Sequence, residues 1–400
     1  MIKRHSLFPM PFSFALLLWL TLLGCSDKKK NESTLPKGVF LKNIIHSEFI
    51  SEGVAAGDVN KDGLKDILSG AYWFEAPNWV KHEIRTPIAY DYAKEWSDSF
   101  LNFSMDVNKD GWVDLIEIGF PGKPAYWYEN SKGKHGHWAK HLVDSSACNE
   151  SPMLVDIEGK GQLDLVFGNQ KSGHMNRFVA PVENVGAGWI KQPISEADSL
   201  STHRFSHGLG LGDINGDGRG DVLIKDGWWE APQNRNDTPW NFHKVSFGED
   251  CSQMYAYDLD DDGDSDVISS SAHKYGIWWH EQVTGQNDSI KFKRHLIDST
   301  FSQNHGLAFQ DMNDDGLPDL ITGKRFYGHL GNDPGGKDPQ VIYWYEMQRD
   351  DNKKPYWIPH EIDTNSGIGL QVTIEDMNND LKPDILIGNK KGIFYFENSL

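Results

Sequence analysis

The chain has 400 residues, with 39 Lys and Arg against 58 Asp and Glu, for a net charge of −19. Such acidity argues against nucleic acid as a partner, because a phosphate backbone calls for a basic face. Three cysteines in so long a chain exclude a disulfide scaffold. The length exceeds what one ordinary hydrophobic core organises, which points to a repeat architecture.

Residues 1–24, MIKRHSLFPMPFSFALLLWLTLLG, begin with a basic segment holding Lys3 and Arg4 and continue into an apolar run from Phe12 to Leu23. That order is a secretory signal peptide. The ending Leu-Leu-Gly-Cys resembles the lipobox of bacterial lipoproteins. The resemblance implies lipidation at Cys25 and a location in the bacterial cell envelope, periplasmic or outer-membrane, touching the membrane through the lipid anchor only. Residues 25–37 are polar and charged and read as a flexible tether. Beyond them no apolar run is long enough to span a bilayer. Residues 38–400 read as one domain.

That domain repeats one loop, D-x-[DN]-x-D-G-x-x-D. Seven copies begin at Asp58, Asp106, Asp156, Asp213, Asp258, Asp311 and Asp376, spaced 48, 50, 57, 45, 53 and 65 residues apart. Oxygens at positions one, three, five and nine suit calcium, which takes six to eight hard ligands, and glycine at position six permits the sharp turn. Five copies are complete and predict structural calcium sites. Their ligands are Asp58, Asn60, Asp62 and Asp66; Asp106, Asn108, Asp110 and Asp114; Asp213, Asn215, Asp217 and Asp221; Asp258, Asp260, Asp262 and Asp266; and Asp311, Asn313, Asp315 and Asp319. The copy with Asp376, Asn378, Asp380 and Asp384 carries Leu381 in place of glycine, which puts its turn in doubt. The copy at Asp156 carries Lys160 at position five, where an ammonium replaces the ion. Asp221 is a loop position, so Arg219-Gly220-Asp221 is not an adhesion signal.

A short apolar run precedes each loop, and a β-branched or Leu-rich run such as DVLIK or DLITG follows it, which is a hairpin. An aromatic run comes next (AYWFE, AYWYE, GWWE, IWWHE, IYWYE, IFYFE), then a fourth strand such as WVKHEI or FKRHLI. Four strands per unit make a propeller blade. The last unit lacks its fourth strand, and VFLKNIIHSE near the N-terminus has that strand's pattern. The expectation is an all-β, seven-bladed propeller of four-stranded blades, with calcium-binding loops between the first two strands and a ring closed by the N-terminal strand. The loops resemble FG-GAP, or VCBS, repeats, the units of the integrin α-subunit propeller. That resemblance implies the fold and leaves function open.

The face opposite the loops receives residues just before the first strands and just after the second. His207, His273, His305, Tyr275 and Lys324 are the candidate catalytic residues there. Asn169, Gln170, Gln253, Arg325, His329 and Asp333 are the candidate substrate-binding residues. Two or three histidines can hold a catalytic divalent metal, and His or Tyr can abstract a proton α to a carbonyl. His82, His141, His295 and His360 recur in fourth strands and read as structural, and the aromatic runs read as packing between blades. Stretches such as SHGLGLGD, CSQMYAYD, SSAHKYGIWWHE and TGKRFYGHLGNDPGG are similar to the propeller domain of aldos-2-ulose dehydratase. That similarity implies a carbohydrate ligand, and a lyase acting on keto-sugars or 3-keto-glycosides by proton abstraction and β-elimination. The dehydratase's cupin domains are missing, so its isomerase activity does not carry over. The alternative is a non-catalytic propeller that binds a glycan or protein partner at the same mouth.

Overall fold

The computed structural model describes residues 39–181 and 188–400. The signal peptide, Cys25 and nearly all of the tether lie outside the described residues. Regular structure is all β: the helical turns Gln286–Asp288 and Gly328–Gly331 are short 3-10 pieces, and no α-helix occurs among the described residues. No helix there is long and apolar enough to cross a membrane.

Each Asp-rich loop joins two antiparallel strands, for example Leu307–Gln310 to Asp319–Gly323, with Leu307 opposite Thr322. The loop chemistry explains the turn. In the copy at Asp258, Oδ1 accepts the amide of Asp262 at 3.1 Å and Oδ2 that of Gly263 at 3.1 Å. The buried position-nine carboxylate does a different job. Asp266 accepts the amide of Leu259 at 3.3 Å and that of Gln282, on the third strand, at 2.7 Å. The same double bond to the loop and the third-strand end recurs at Asp66, Asp114, Asp221, Asp319 and Asp384. It satisfies amides that would otherwise be buried without partners.

Two loop positions adopt left-handed backbone, four as well as six, and only the second was visible as a glycine signal. Lys61, Lys109, Asp261, Asp314 and Asn379 at position four have φ between 56° and 63°. Leu381 takes φ 69° at position six, and its amide still reaches Asp376 Oδ2 at 2.9 Å. The turn doubted for want of glycine therefore forms, with strain of about 1 kcal/mol or more in place of glycine's freedom.

The aromatic and fourth strands follow. Leu307–Gln310, Asp319–Gly323, Ile342–Arg349 and Pro355–Asp363 make a four-stranded sheet in chain order. Two larger sheets arise where repeats run together, because Ala139–Val155 continues from one repeat into the next and Leu209–Gly212 pairs in parallel with Gln253–Tyr257. Phe40–His46 pairs antiparallel with Gly392–Asn398, from Phe40 opposite Asn398 to His46 opposite Ile393. The N-terminal strand thus completes the last repeat by hydrogen bonds and covers its edge.

The aromatic runs are core, as their repetition suggests. Trp127, Trp228, Trp229 and Trp344 are fully buried; each ring removes on the order of 200 Å² from water, worth about 5 kcal/mol. A histidine from the fourth strand stacks on a tryptophan of the third in five repeats: His82 on Trp73, His141 on Trp127, His243 on Trp228, His295 on Trp279 and His360 on Trp344, at 4.1–4.5 Å. Each also binds a glutamate of the aromatic strand, Glu75, Glu129, Glu230, Glu281 or Glu346. These histidines are structural.

Candidate metal centre

Connections on the side away from the Asp loops bring distant residues together. His207, His273 and His305 approach through their Nε2 atoms, His207 to His273 at 2.9 Å and His207 to His305 at 3.3 Å. Glu150 joins them, its Oε2 3.3 Å from His305 Nε2 and 3.6 Å from His207 Nε2. Donors held about 2.1 Å from one ion lie about 3.0 Å apart at right angles and about 3.4 Å apart at tetrahedral angles. The His207–His273, His207–His305 and His305–Glu150 spacings match that range, and the His207–Glu150 distance exceeds it; the three histidine nitrogens lie within 4.8 Å of one another.

The outer nitrogens fix which way the lone pairs face. His207 Nδ1 donates to the Phe205 carbonyl at 3.0 Å, and His273 Nδ1 faces Asp333 Oδ2 at 3.3 Å. With Nδ1 protonated, each ring turns an unprotonated Nε2 inward, the arrangement that backs metal-bound histidines. Burial pushes the His207 imidazole below its ordinary value and His305 well below it. At 2.9 Å the two Nε2 atoms of His207 and His273 are bridged either by a proton, as a hydrogen bond, or by a bound cation. Burial works against the Glu150 charge too, yet the hydrogen bond with His305 and the fields of His207, His305 and then Arg325 outweigh it and hold this carboxylate below the usual range. Three imidazoles and one carboxylate suit a first-row divalent transition ion.

Asp333 links this cluster to a fourth histidine. Its Oδ1 takes His329 Nδ1 at 2.9 Å, and Gln303 Nε2 donates to its Oδ2 at 2.9 Å. His329 stacks on His273 at 4.5 Å, and its side chain is 48% exposed. The bond to Asp333 raises the His329 pKa.

Of the predicted site residues, His207, His273, His305, His329 and Asp333 thus come together. Lys324 does not face the mouth: it is fully buried, its Nζ held by Ser302 Oγ at 3.3 Å and by Gln303 Oε1, so it braces the glutamine that braces Asp333. Arg325 is buried against Glu52 at 2.5 Å. Gln253 is a stitch between inner strands, accepting from the Leu307 amide at 3.0 Å and donating to the Leu370 carbonyl at 3.1 Å. Asn169 is a turn staple on Asp144 and Ser172, and Gln170 is exposed beside it. Tyr275 is 40% exposed, with its hydroxyl 3.3 Å from Asp338. Cys148 and Cys251 are separate buried thiols.

Glu150 and Glu52 escaped the sequence reading, although a signal was there. His207 and His305 each lie six residues before the first Asp of their loop, and Glu150 and Glu52 occupy that same place. All four are buried. One register position therefore lines the site from four repeats.

The Asp loops differ in how well they would suit a cation. Among the described residues, Asp258, Asp260 and Asp262 bring one oxygen each within 4.8 Å of one another. Burial pushes Asp264 beside them up to about 6, a cost that a bound cation would remove. Asp110 instead pairs with Lys132 at 2.7 Å, and Asp217 with Arg219. In the copy at Asp156, Glu158 meets both Lys160 and Arg177 at 2.7 Å, so side-chain cations neutralise that loop.

A family profile described as FG-GAP-like repeat matches residues 258–322. With the repeated hairpins and sheets, it decides the architecture. The fold is a β-propeller, with an FG-GAP-like repeat at residues 258–322. No curated protein matches the chain. The chain is similar in structure to BBS1N, solved in complex with ARL6DN, at 10% identity and TM-score 0.50 over 90% of this chain and 96% of that one. It is also similar to YCF48 from Cyanidioschyzon merolae, at 13% identity and TM-score 0.47 over 90% of this chain and 98% of that one. A lectin of Agrocybe aegerita that recognises non-reducing terminal N-acetylglucosamine aligns at 18% identity and TM-score 0.44, over 78% of this chain and 80% of that one. At such identity the likeness to BBS1N bears on fold alone, and the other two carry no argument.

Proposed function

We propose that the protein is a lipid-anchored, seven-bladed propeller of the bacterial cell envelope that acts as a carbohydrate lyase on keto-sugars or 3-keto-glycosides. The observation that carries the reading is the convergence of three inward Nε2 atoms and Glu150, backed by Phe205 and Asp333. His207, His273, His305 and Glu150 would hold a divalent ion, and calcium would occupy complete loops as scaffold. When bound, the divalent ion supplies Lewis-acid polarisation of a substrate carbonyl.

The chain's own residues supply the rest. Asp333 holds the Nδ1 protons of His273 and His329, which leaves His329 Nε2 free at the exposed edge. His329 takes the proton α to the carbonyl, and the C–H electrons form the new double bond as the β C–O bond breaks. The protonated His329 returns that proton to the departing oxygen. Lys324 and Gln303 keep Asp333 in place. His207, His273 and His305 thereby move from the role of base to that of ligand.

The test is metal analysis of purified mature protein, followed by ultraviolet absorbance with 3-keto-glycosides and 1,5-anhydrofructose. The expected result is about one transition ion per chain, lost in His273→Ala, and growth of an enone band that a chelator abolishes. His329→Gln should keep the ion and lose turnover by about 100-fold or more. A folded, metal-loaded protein inert to the whole panel would move the assignment to a non-catalytic glycan- or protein-binding propeller.

A further inference from the structure

A small pocket adjoins the histidine centre and shares His273 with it. Its volume is about 260 Å³, and Lys225, Glu249, Asp250, Ser271 and Lys274 complete the lining. That is just below the range of about 300–1,000 Å³ usual for small-ligand sites, which suits one edge of a sugar ring. Lys225 follows the strand Asp221–Ile224, Ser271 and His273 follow Asp266–Ser270, and Asp250 precedes Gln253–Tyr257. All of them therefore lie at strand ends away from the Asp loops.

Asp250 is placed by the same register that builds the centre. It stands eight residues before Asp258, as Phe205 stands before Asp213 and Gln303 before Asp311. Phe205 orients His207, and Gln303 braces Asp333. In the repeat between theirs, this place carries a carboxylate. The Ala272 amide donates to the Asp250 carbonyl at 2.9 Å and ties it to the connection of His273. Burial works against the Asp250 charge, yet the field of His207, the bond from Lys225 and the field of His273 hold its carboxyl below the usual value.

Lys225 Nζ lies 3.2 Å from Asp250 Oδ1, and the two side chains are 25% and 49% exposed. An ammonium has three donors and a carboxylate about four acceptor sites, so this contact leaves both with capacity for a further partner. Glu249 and Lys274 pair with each other at 3.1 Å. The His273 ring lies between the pocket and His329. His329 stacks on one of its faces at 4.5 Å, its Nδ1 faces Asp333 and its Nε2 faces His207. The pocket meets what remains of the ring, and among the described residues no member of the insert 324–341 lines it. A sugar whose carbonyl sits at the three Nε2 atoms and whose acidic C–H faces His329 thus turns its other flank toward Lys225 and Asp250. A hydroxyl there accepts from the ammonium and donates to the carboxylate, both charge-assisted bonds.

We infer that Lys225 and Asp250 are specificity-determining residues that bind the hydroxyl on the carbon flanking the substrate carbonyl, on the side opposite the carbon that loses its proton. A 3-keto-glycoside carries that hydroxyl, at C4, whereas 1,5-anhydrofructose has a CH2 group in its place. The preferred substrate is therefore the 3-keto-glycoside. This choice of substrate rests on the lyase reading above; the hydroxyl contact does not. In the reaction the C2 proton passes to His329, the C–H electrons become the C1=C2 double bond, the C1–O bond breaks, and the proton returns to the departing alcohol. The C4 hydroxyl keeps its bonds throughout.

The experiment titrates methyl 3-keto-β-glucoside, its 4-deoxy analogue and 1,5-anhydrofructose into metal-loaded mature His329→Gln by calorimetry. The same titrations are run with Asp250→Asn or Lys225→Met added, and circular dichroism and metal analysis check fold and ion content. The expected result is saturable binding of the 3-keto-glucoside, about 10-fold or more tighter than either other sugar. Each added substitution should shrink that preference to about 3-fold or less while the ion stays bound, since a contact between one hydroxyl and one side chain is lost only once. Absence of binding by the 3-keto-glucoside overturns the inference, as does equal affinity for the 4-deoxy analogue or a preference that survives both substitutions. Loss of the ion in Asp250→Asn and Lys225→Met makes them supports of the centre and overturns it too. The expected preference in a protein whose wild type yields no enone band defeats the lyase reading alone.

Discussion

His280 makes the interior of the fifth repeat testable by pH. It is 1% exposed, packs on Phe247 at 5.2 Å and bonds Ser269 Oγ at 2.8 Å. Burial, with Arg294 and His295 adding to it, lowers its pKa to about 3 from 6.5. The unfolded chain takes up a proton below 6.5 while the folded chain refuses it. This contribution to stability is therefore complete above pH 6.5 and is lost as pH falls toward 3. At pH 5 the loss is about 1.5 units at 1.36 kcal/mol each, or about 2 kcal/mol. Urea unfolding of wild type and His280→Gln at pH 8 and pH 5, with calcium held constant, reads this directly. The variant keeps a polar partner for Ser269, and only the change between the two pH values matters, whatever its baseline. Wild type should lose about 2 kcal/mol more than the variant. Equal losses would refute a dry, packed environment for His280.

Leu381→Gly should leave stability unchanged or raise it by up to about 1 kcal/mol, because relief of left-handed strain is partly offset by glycine's looser unfolded chain. Leu381 is 91% exposed, so no packing is lost, and a clear drop in the urea midpoint would contradict the loop geometry. Arg325→Met leaves Glu52 charged and buried and should cost about 3–5 kcal/mol, most of it recovered in the double variant with Glu52→Gln. A double variant no more stable than the single one would mean that the ion pair is not what Arg325 contributes. Stripping calcium with a chelator should lower the melting temperature, and Asp258→Asn with Asp262→Asn should shrink that drop. A melting temperature indifferent to chelator would remove the metal from the loops.

Much of the scaffold is legible in the chain because it is local. Nine residues hold the whole chemistry of an Asp loop: two acceptors on Asp258 for amides four and five residues on, and a glycine where φ is positive. Strand order follows from repetition, and the pattern of Phe40–His46 announced its place beside Gly392–Asn398. Even Glu150 was within reach, since it shares a register position with His207; it went unseen because candidates were chosen by side-chain chemistry instead of by register.

The centre itself is a tertiary product. Glu150, His207, His273 and His305 are separated by long stretches of chain, and only the placement of the repeats brings His207 within 4 Å of each of the other three and Glu150 within 4 Å of His305. Tertiary packing also separates residues that look alike in sequence: Lys324 and Arg325 read as mouth residues, one catalytic and one substrate-binding, yet one is buried among Ser302 and Gln303 and the other neutralises Glu52. Sequence determines which strand ends lie on the side away from the Asp loops, because loop position is local geometry; which of their side chains reach the mouth is left to packing. Which of them meet is decided by the ring, because contact across repeats depends on how whole sheets pack.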